Sequence, residues 1–297
     1  MNRIKITFSI LLCLFTLSSI AQNDSLKTTK KAKEIIFYSS LSSGLALSHI
    51  GLNQLWYKDF PKSSFHFFDD HKEWLQMDKV GHAYSSFQLT QLFIHSNPLI
   101  KKNPRMARII GGGFAFSYML SIELLDSKSA QWGFSKSDFA ANTFGVLLAS
   151  LSDQTRNKNY FQFKFSYHNS PYATLRPGTL GRNFQQRLFK DYNAQTYWIS
   201  THIFPKHRRS NTFKSIIELS FGYGIDEMLF ADNNINSVNN FHARREFFLS
   251  FDADLNQIKW KRDWMRKLMK IFNVIKIPSP TIQIQNNGKV KLIPLYF

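Results

Sequence analysis

The sequence has 297 residues, of which 43% are hydrophobic and 20% are charged. This composition excludes a largely disordered chain, and the length allows one large domain or two medium ones. The formal net charge of +18 leaves three interpretations open: a nucleic-acid partner, an anionic membrane surface, or a solvated basic surface.

Residues 1–21 have the pattern of an export signal. A basic start precedes an almost wholly apolar run over residues 6–20, and Ala21 completes a small-x-small cleavage pattern. We expect cleavage before Gln22, with a retained membrane anchor as the alternative. Cys13 follows a leucine rather than a small residue, so acylation of a lipoprotein cysteine is not expected there. Cleavage would leave a mature chain with no cysteine for a disulfide or a thiolate metal site.

The basic surplus is concentrated late in the chain. Residues 157–297 contain 21 basic and 9 acidic side chains. In an exported protein this surplus meets anionic lipid headgroups, so membrane lipid is an expected partner and nucleic acid is not. A solvated basic surface without a partner is the simpler alternative.

Four helix-like segments follow a short polar linker at residues 22–33. They lie at residues 34–57, 78–96, 104–126 and 135–151. Their apolar periodicity predicts a helical domain over residues 34–156, arranged as a four-helix bundle. The glycine run at residues 111–113 weakens its helix in water but permits the close approach of a neighbouring helix.

The loop between the second and third helices tests whether these helices cross a membrane. Residues 97–108 contain four basic side chains. If the signal is cleaved and every helix crosses, this loop lies outside the inner membrane, against the tendency of short basic loops to stay inside. We therefore expect a compact bundle in the periplasm or against a membrane.

Near residue 159 the hydrophobic period changes from about 3.6 to 2, which predicts an antiparallel β region over residues 157–297. Apolar and polar side chains alternate in the stretches YFQFKFSYH, FKSIIELSFGYG and REFFLSFDADL. Six strands are expected, the last two around an Asn-Asn-Gly turn. A basic amphipathic helix at about residues 260–276 interrupts them, and it suits either a membrane surface or packing on the sheet.

Two structures fit this alternation, so the predicted α+β fold keeps two alternatives for its C-terminal half. One is a packed antiparallel sheet with a single face on the helices, and the other is an outer-membrane β-barrel. Alternation up to the terminal Phe297 resembles the C-terminal signature of outer-membrane barrel proteins. Six strands nevertheless fall short of the eight that a closed barrel needs, unless two more lie at residues 171–187 or 225–231.

Close polar pairs stand at one end of three of the predicted helices, and short antiparallel connections would bring these ends together. The candidate cluster comprises Asp78, Lys79, His82, Glu123, Asp126, Ser135, Asp138 and Asn142.

The motifs DKVGHA, IELLDS and WGFSKSDFAANTFG resemble the YfiM-like family of predicted periplasmic lipoproteins of unknown function. They are more distantly similar to the VanZ-like membrane proteins. The resemblance covers about residues 70–150 only, and the chain departs from the family label because it shows no lipobox cysteine. The resemblance implies a fold and a compartment rather than a reaction.

Three roles for the cluster remain open: a structural hydrogen-bond network, a divalent metal site, and acid–base catalysis with His82 as base. The candidate metal ligands are His82, Glu123, Asp126 and Asp138. We expect an exported, membrane-associated envelope protein of the periplasm or outer membrane, non-enzymatic and able to bind lipid. The alternative is a metal- or acid–base-dependent enzyme that acts on a lipid or cell-wall headgroup.

Overall fold

The computed structural model describes residues 30–57, 60–96, 103–154, 161–204 and 212–297. The expected signal peptide at residues 1–21 lies outside these residues. Within them the protein has an α+β fold with ten helices and an antiparallel sheet of six strands, as predicted.

The chain divides into two compact units. The helical unit comprises the described residues up to Asp69 together with Ser86–Ser150, and the sheet unit comprises Asp70–Ser85 and Leu151–Phe297. The short stretch at residues 70–85 thus groups with the C-terminal half. The predicted domain limits at residues 34–156 and 157–297 stay a prediction.

Four long helices account for most of the N-terminal half. They are α1 (Lys30–Leu52), α2 (Met77–Ser96), α3 (Pro104–Asp126) and α4 (Lys136–Gln154). A π-helical turn, Asn53–Tyr57, continues α1, and α2 is shared between the units, with its residues up to Ser85 in the sheet unit. Two short parallel strands, β1 (Phe67–Phe68) and β2 (Phe134–Ser135), pair within the helical unit.

The core of the helical unit forms around α1, α2 and α3. Phe37, Leu41, Phe93 and Ala115 are buried together there. A Cβ added at Gly111 would lie 2.9 Å from Ile94 Cγ1, so this glycine permits the close helix approach that the sequence predicts. A four-helix bundle as such stays a prediction.

Among the described residues, two helices are long and apolar enough to cross a membrane, Ile35–Leu52 within α1 and Pro104–Asp126. Length and composition alone are weak evidence for a span, because core helices of soluble proteins pass the same test.

The sheet unit contains six strands that pair with their sequence neighbours in antiparallel order. They are β3 (Phe161–Tyr167), β4 (Gln195–His202), β5 (Ile217–Asp226), β6 (Arg244–Ala253), β7 (Ser279–Gln285) and β8 (Val290–Tyr296).

Short helices connect these strands. They are α5 (Tyr172–Leu175), α6 (Pro177–Leu180), α7 (Phe184–Lys190), α8 (Thr212–Ile216), α9 (Asn233–Val238) and α10 (Asp263–Phe272). Two 3₁₀ turns are Tyr192–Ala194 and Leu255–Gln257, and a tight turn at Glu73–Gln76 precedes α2. The predicted basic helix is present as α10, and it is shorter than expected. Residues 171–187, a candidate for extra strands, are instead helical in α5, α6 and the start of α7.

The described strands do not close into a barrel, so the barrel alternative is wrong for this part of the chain. The outer edge of β3 bonds to the segment that precedes β7: Phe165 N donates to Val274 O at 3.0 Å, and Lys276 N donates to Phe165 O at 2.9 Å. This irregular segment covers the β3 edge that closure against β8 would require. Six strands are also too few to enclose a barrel.

In an ordinary packed sheet the apolar face is buried and the polar face is exposed. In this sheet the polar face is buried and much of the apolar face is exposed. Its polar face is buried around Trp198, Phe248 and Tyr296, and Tyr296 bonds to Thr196 at 2.8 Å across that face. Its apolar face is covered at β3 and β4 by the first turns of α2. There the Tyr84 ring lies 5.3 Å from that of Phe163. Much of the remaining apolar face is exposed.

Candidate functional site

A strained turn precedes α2 in the sheet unit. Trp74, Leu75 and Gln76 have positive φ angles of 50°, 48° and 63°. Each non-glycine residue in this left-handed region costs about 1–2 kcal/mol, and such strain persists only where surrounding contacts enforce it. Strained backbone of this kind concentrates at functional sites, so the turn marks the start of α2 as a candidate site.

Contacts from the sheet hold this turn in place. Arg245 donates from Nη1 to Leu75 O at 2.8 Å and from Nη2 to Gln76 Oε1 at 2.5 Å. The Tyr223 hydroxyl also donates to Leu75 O, and Trp74 N donates to Ala231 O at 2.9 Å. The guanidinium fork suits this double contact, because its donors lie in one plane. These contacts therefore fix the conformation of the turn within the sheet unit.

Directly after the turn, the first residues of α2 carry three of the predicted site residues. Asp78 Oδ1 accepts a hydrogen bond of 2.6 Å from the Tyr192 hydroxyl, and Lys79 Nζ lies 3.0 Å from Asp78 Oδ2. Lys79 also pairs with Asp70 at 2.7 Å. His82 Nε2 lies 3.8 Å from Asp78 Oδ1, one helical turn away.

The charge state of Asp78 follows from these neighbours. Burial by itself would raise the pKa of Asp78, but the nearby His82 and Lys79 and the Tyr192 hydrogen bond outweigh it and lower that pKa. The carboxylate therefore stays ionised beside an imidazole. Such a pair can orient a histidine for proton transfer or offer ligands to a cation.

The other predicted residues lie in the helical unit. Glu123 is buried, and its Oε1 accepts a hydrogen bond of 3.2 Å from Asn142 Nδ2. Ser86 donates in turn to Asn142 Oδ1 at 3.1 Å. Asp126 has a different partner, the Tyr57 hydroxyl at 2.7 Å, and burial raises the pKa of that tyrosine.

Ser135 and Asp138 stand at the start of α4. Ser135 Oγ accepts a hydrogen bond of 3.0 Å from Asp138 N, which is the bond expected of an N-cap residue. Both side chains are buried. The structure thus joins the predicted residues in three sets, Asp78 with Lys79 and His82 in the sheet unit, and Glu123 with Asn142 and Ser135 with Asp138 in the helical unit. One common cluster stays a prediction.

Sequence reasoning missed a buried ionic network on the polar face of the sheet. Lys164 Nζ lies 3.1 Å from Glu218 Oε2 and 3.0 Å from Asp252 Oδ2, and none of the three side chains is exposed. Lys276 donates to Phe251 O at 2.6 Å. Burial raises the pKa of Glu218 to about 7 and lowers that of Lys276 to about 8. The alternation of polar and apolar residues in the sequence placed the polar strand residues on one face. It did not show that this face is buried.

On the opposite face, apolar side chains form a continuous row across five strands. Directly paired positions run from β4 to β8: Ile199, Phe221, Leu249, Ile282 and Leu292. Ile199, Phe221, Ile282 and Leu292 are exposed, and so are Phe247 and Phe251 on the neighbouring positions of β6. We call this surface the apolar row. Contiguous exposed apolar patches are more frequent at interaction surfaces than elsewhere on a protein.

Part of the chain matches a known protein family. Residues 66–154 match a family model described as "Predicted periplasmic lipoprotein (DUF2279)". The match confirms the resemblance to predicted periplasmic lipoproteins of unknown function and agrees with export to the periplasm or the outer membrane. Comparisons with curated proteins and with solved structures give no match.

Proposed function

We propose that this protein is a non-enzymatic component of the cell envelope that binds an anionic membrane surface through its sheet unit. The observation that carries the proposal is the apolar row, which stays exposed while the polar face of the same sheet is buried. Phe221 and Phe251 are 53% and 54% exposed. Strands with apolar side chains outward and polar ones inward are typical of proteins that face lipid.

The energetics support a partner for this surface. Burial of apolar area contributes about 25 cal/mol per Å², so covering several aromatic and branched side chains stabilises a complex substantially. Such a surface in water is also an aggregation hazard unless something covers it. The helical unit likewise leaves Ile50, Ile109 and Phe144 exposed.

The helix α10 supports an anionic partner. Arg262, Arg266 and Lys270 are exposed on or beside it, and Trp264 and Phe272 are exposed as well. Basic and aromatic side chains together suit the headgroup region of a membrane, where each basic residue contributes about 1 kcal/mol of attraction to anionic lipid. Part of the basic surplus of residues 157–297 thus lies on and beside α10.

Vesicle flotation tests this proposal. We expect the purified protein to float with vesicles containing phosphatidylglycerol and to float less with neutral phosphatidylcholine vesicles. The double substitution Phe221→Ser with Phe251→Ser should lower the bound fraction several-fold. The matched control is Val238→Ser on α9, which is 83% exposed but lies outside the sheet, and it should float like the wild type.

The same variants decide between lipid and a second copy of the chain as the occupant of the apolar row. If light scattering shows a dimer that the double variant breaks, while neither protein floats with vesicles, the membrane proposal is wrong. Equal flotation of the wild type and the double variant would also contradict it.

A second candidate function is acid–base chemistry on a headgroup at the start of α2. The strained turn before Asp78 and the adjacent imidazole of His82 favour it. His82→Asn should then abolish turnover of a phospholipid or cell-wall headgroup substrate while leaving the melting temperature within a few degrees. Loss of stability without any turnover by the wild type would leave a structural role for this histidine.

A further inference from the structure

Three ionisable residues meet at one end of the buried polar face. His202 closes β4, and Glu218 pairs with it directly across from β5. Asp254 follows immediately after β6, on the strand that neighbours β5. Three adjacent strands therefore each contribute one potential metal ligand to the same place in the sheet unit.

The distances between their ligand atoms suit a small tetrahedral ion. His202 Nε2 lies 3.4 Å from Asp254 Oδ2 and 3.9 Å from Glu218 Oε1, and one ligand atom of each residue lies within 4.8 Å of the other two. Bonds of 2.0–2.2 Å to a tetrahedral ion separate its ligands by about 3.3–3.6 Å. Small side-chain adjustments would bring all three atoms to that separation.

Burial and poorly aligned polar contacts point to a ligand at this position. The side chains of His202, Glu218 and Asp254 are 1%, 0% and 0% exposed. Nε2 of His202 lies 3.4 Å from Asp254 Oδ2, but neither ring nitrogen makes a well-aligned hydrogen bond to the described residues. A buried polar atom that lacks a well-formed hydrogen bond costs up to about 1–3 kcal/mol, and coordination to a metal would lower that cost at Nε2.

The carboxylates are already held by further hydrogen bonds. Gln257 Nε2 donates to Asp254 Oδ2 at 2.9 Å, and Asn256 N donates to Asp254 Oδ1 at 3.0 Å. Gln162 Nε2 donates to Glu218 Oε1 at 3.1 Å. Outer contacts of this kind orient ligands in metal sites.

Positive charge reaches the proposed ligands from Lys164. Its Nζ lies 3.1 Å from Glu218 Oε2 and 3.0 Å from Asp252 Oδ2. Glu218 Oε1 and Asp254 Oδ2 both lie near His202 Nε2, so a divalent ion at this position would meet two carboxylates. The competing explanation for the site is a direct contact of His202 with these carboxylates.

We infer that His202, Glu218 and Asp254 form a binding site for a divalent transition metal of the zinc type. One nitrogen and two carboxylate oxygens match the ligand preferences of zinc. The ion would join β4 and β5 to the end of β6, so the expected role of the site is structural, and a fourth ligand would complete its tetrahedral coordination. The site lies on the face of the sheet opposite to the apolar row.

Zinc binding to the whole purified protein tests this inference. After treatment with a chelator and its removal, calorimetric titration with zinc chloride should show about one ion bound per chain. His202→Ala should abolish that binding. The matched control is His242→Ala, because His242 is exposed in the same unit, and it should bind zinc like the wild type.

A nearly isosteric variant distinguishes a lost zinc ligand from a misfolded protein. Asp254→Asn keeps the shape of the side chain, and circular dichroism should show a folded protein with zinc affinity lowered at least tenfold. Zinc should raise the melting temperature of the wild type and not that of this variant. Absence of zinc binding by the folded wild type, or equal binding by wild type and Asp254→Asn, would overturn the inference and leave His202 as a direct partner of the two carboxylates.

Discussion

The guanidinium of Arg245 on β6 donates a hydrogen bond of 2.8 Å to the backbone carbonyl of Leu75, 170 positions earlier in the chain. Leu75 lies at the centre of three consecutive residues with positive φ. A long-range contact thus holds the backbone that leads into Asp78 and His82.

Arg245→Ala should therefore lower the free energy of unfolding by about 2–3 kcal/mol, because the strained turn loses a charged donor to two acceptors. Arg245→Lys should recover only part of the loss, since an ammonium cannot reproduce the planar fork. Urea unfolding of both variants measures this. Arg182→Ala, at an exposed arginine, serves as the control and should change stability by less than about 0.5 kcal/mol.

Gly222 makes room for the buried Trp198 ring. A Cβ added at Gly222 would lie 2.7 Å from Trp198 Cε3, closer than real Cβ contacts allow. Gly222→Ala should thus destabilise the protein by about 1–3 kcal/mol, because the ring or the strand must shift in a packed interior. Thermal unfolding compares it with Gly178→Ala, where no atom lies within 4 Å of the new Cβ. Equal melting temperatures for the two variants would contradict the close packing.

Lys164 pairs with two buried carboxylates. Lys164→Met should lower the free energy of unfolding by about 3–5 kcal/mol, because Glu218 and Asp252 lose a buried charge partner. Lys289→Met removes the same charge from an exposed position and should be close to neutral. Chemical denaturation distinguishes the two, and a stable Lys164→Met protein would show that the network is not needed for folding.

The acid–base behaviour of Glu73 gives a prediction on pH. Burial, and after it the nearby Asp70, raises the pKa of Glu73 to about 6 from an ordinary value of 4.5. The folded state then holds a proton that the unfolded state has lost, so this contribution is complete below pH 4.5 and disappears as the pH rises through 6.

Between pH 4.5 and 6 the free energy of unfolding of the wild type should therefore fall as this contribution is lost. In Glu73→Gln this fall should be smaller by about 1 kcal/mol, after allowance for the partial exposure of Glu73. Urea midpoints measured at closely spaced pH values provide the test. Parallel curves for the variant and the wild type would show that the carboxyl group titrates alike in the folded and unfolded states.

Much of the secondary structure could be predicted because it depends on neighbouring residues. The alternation in FQFKFSY predicts a strand at Phe161–Tyr167, and Pro104 is well placed for the first turn of α3. Errors occurred where local signals are ambiguous. Phe213, assigned to a strand face, lies in α8. Residues 171–187, one of two places where extra strands were possible, form short helices.

For the candidate site, the sequence indicated the residues but not their partners. Helical spacing by itself brings His82 near Asp78, and the structure keeps that pair. The contact of Tyr192 with Asp78 joins residues 114 positions apart, and no local pattern specifies it. The strained turn before α2 was not predicted either, since no glycine marks its positive φ angles.

The amino-acid sequence by itself indicated where most strands lie, which of their side chains share a face, and which segment resembles a family. Only the tertiary structure decided which face is buried. An alternating strand presents an apolar and a polar face equally well. The choice depends on whether charges from separate strands, such as Lys164 and Glu218, neutralise each other inside. That pairing is a property of the assembled sheet, because strand order and register bring the two charges together.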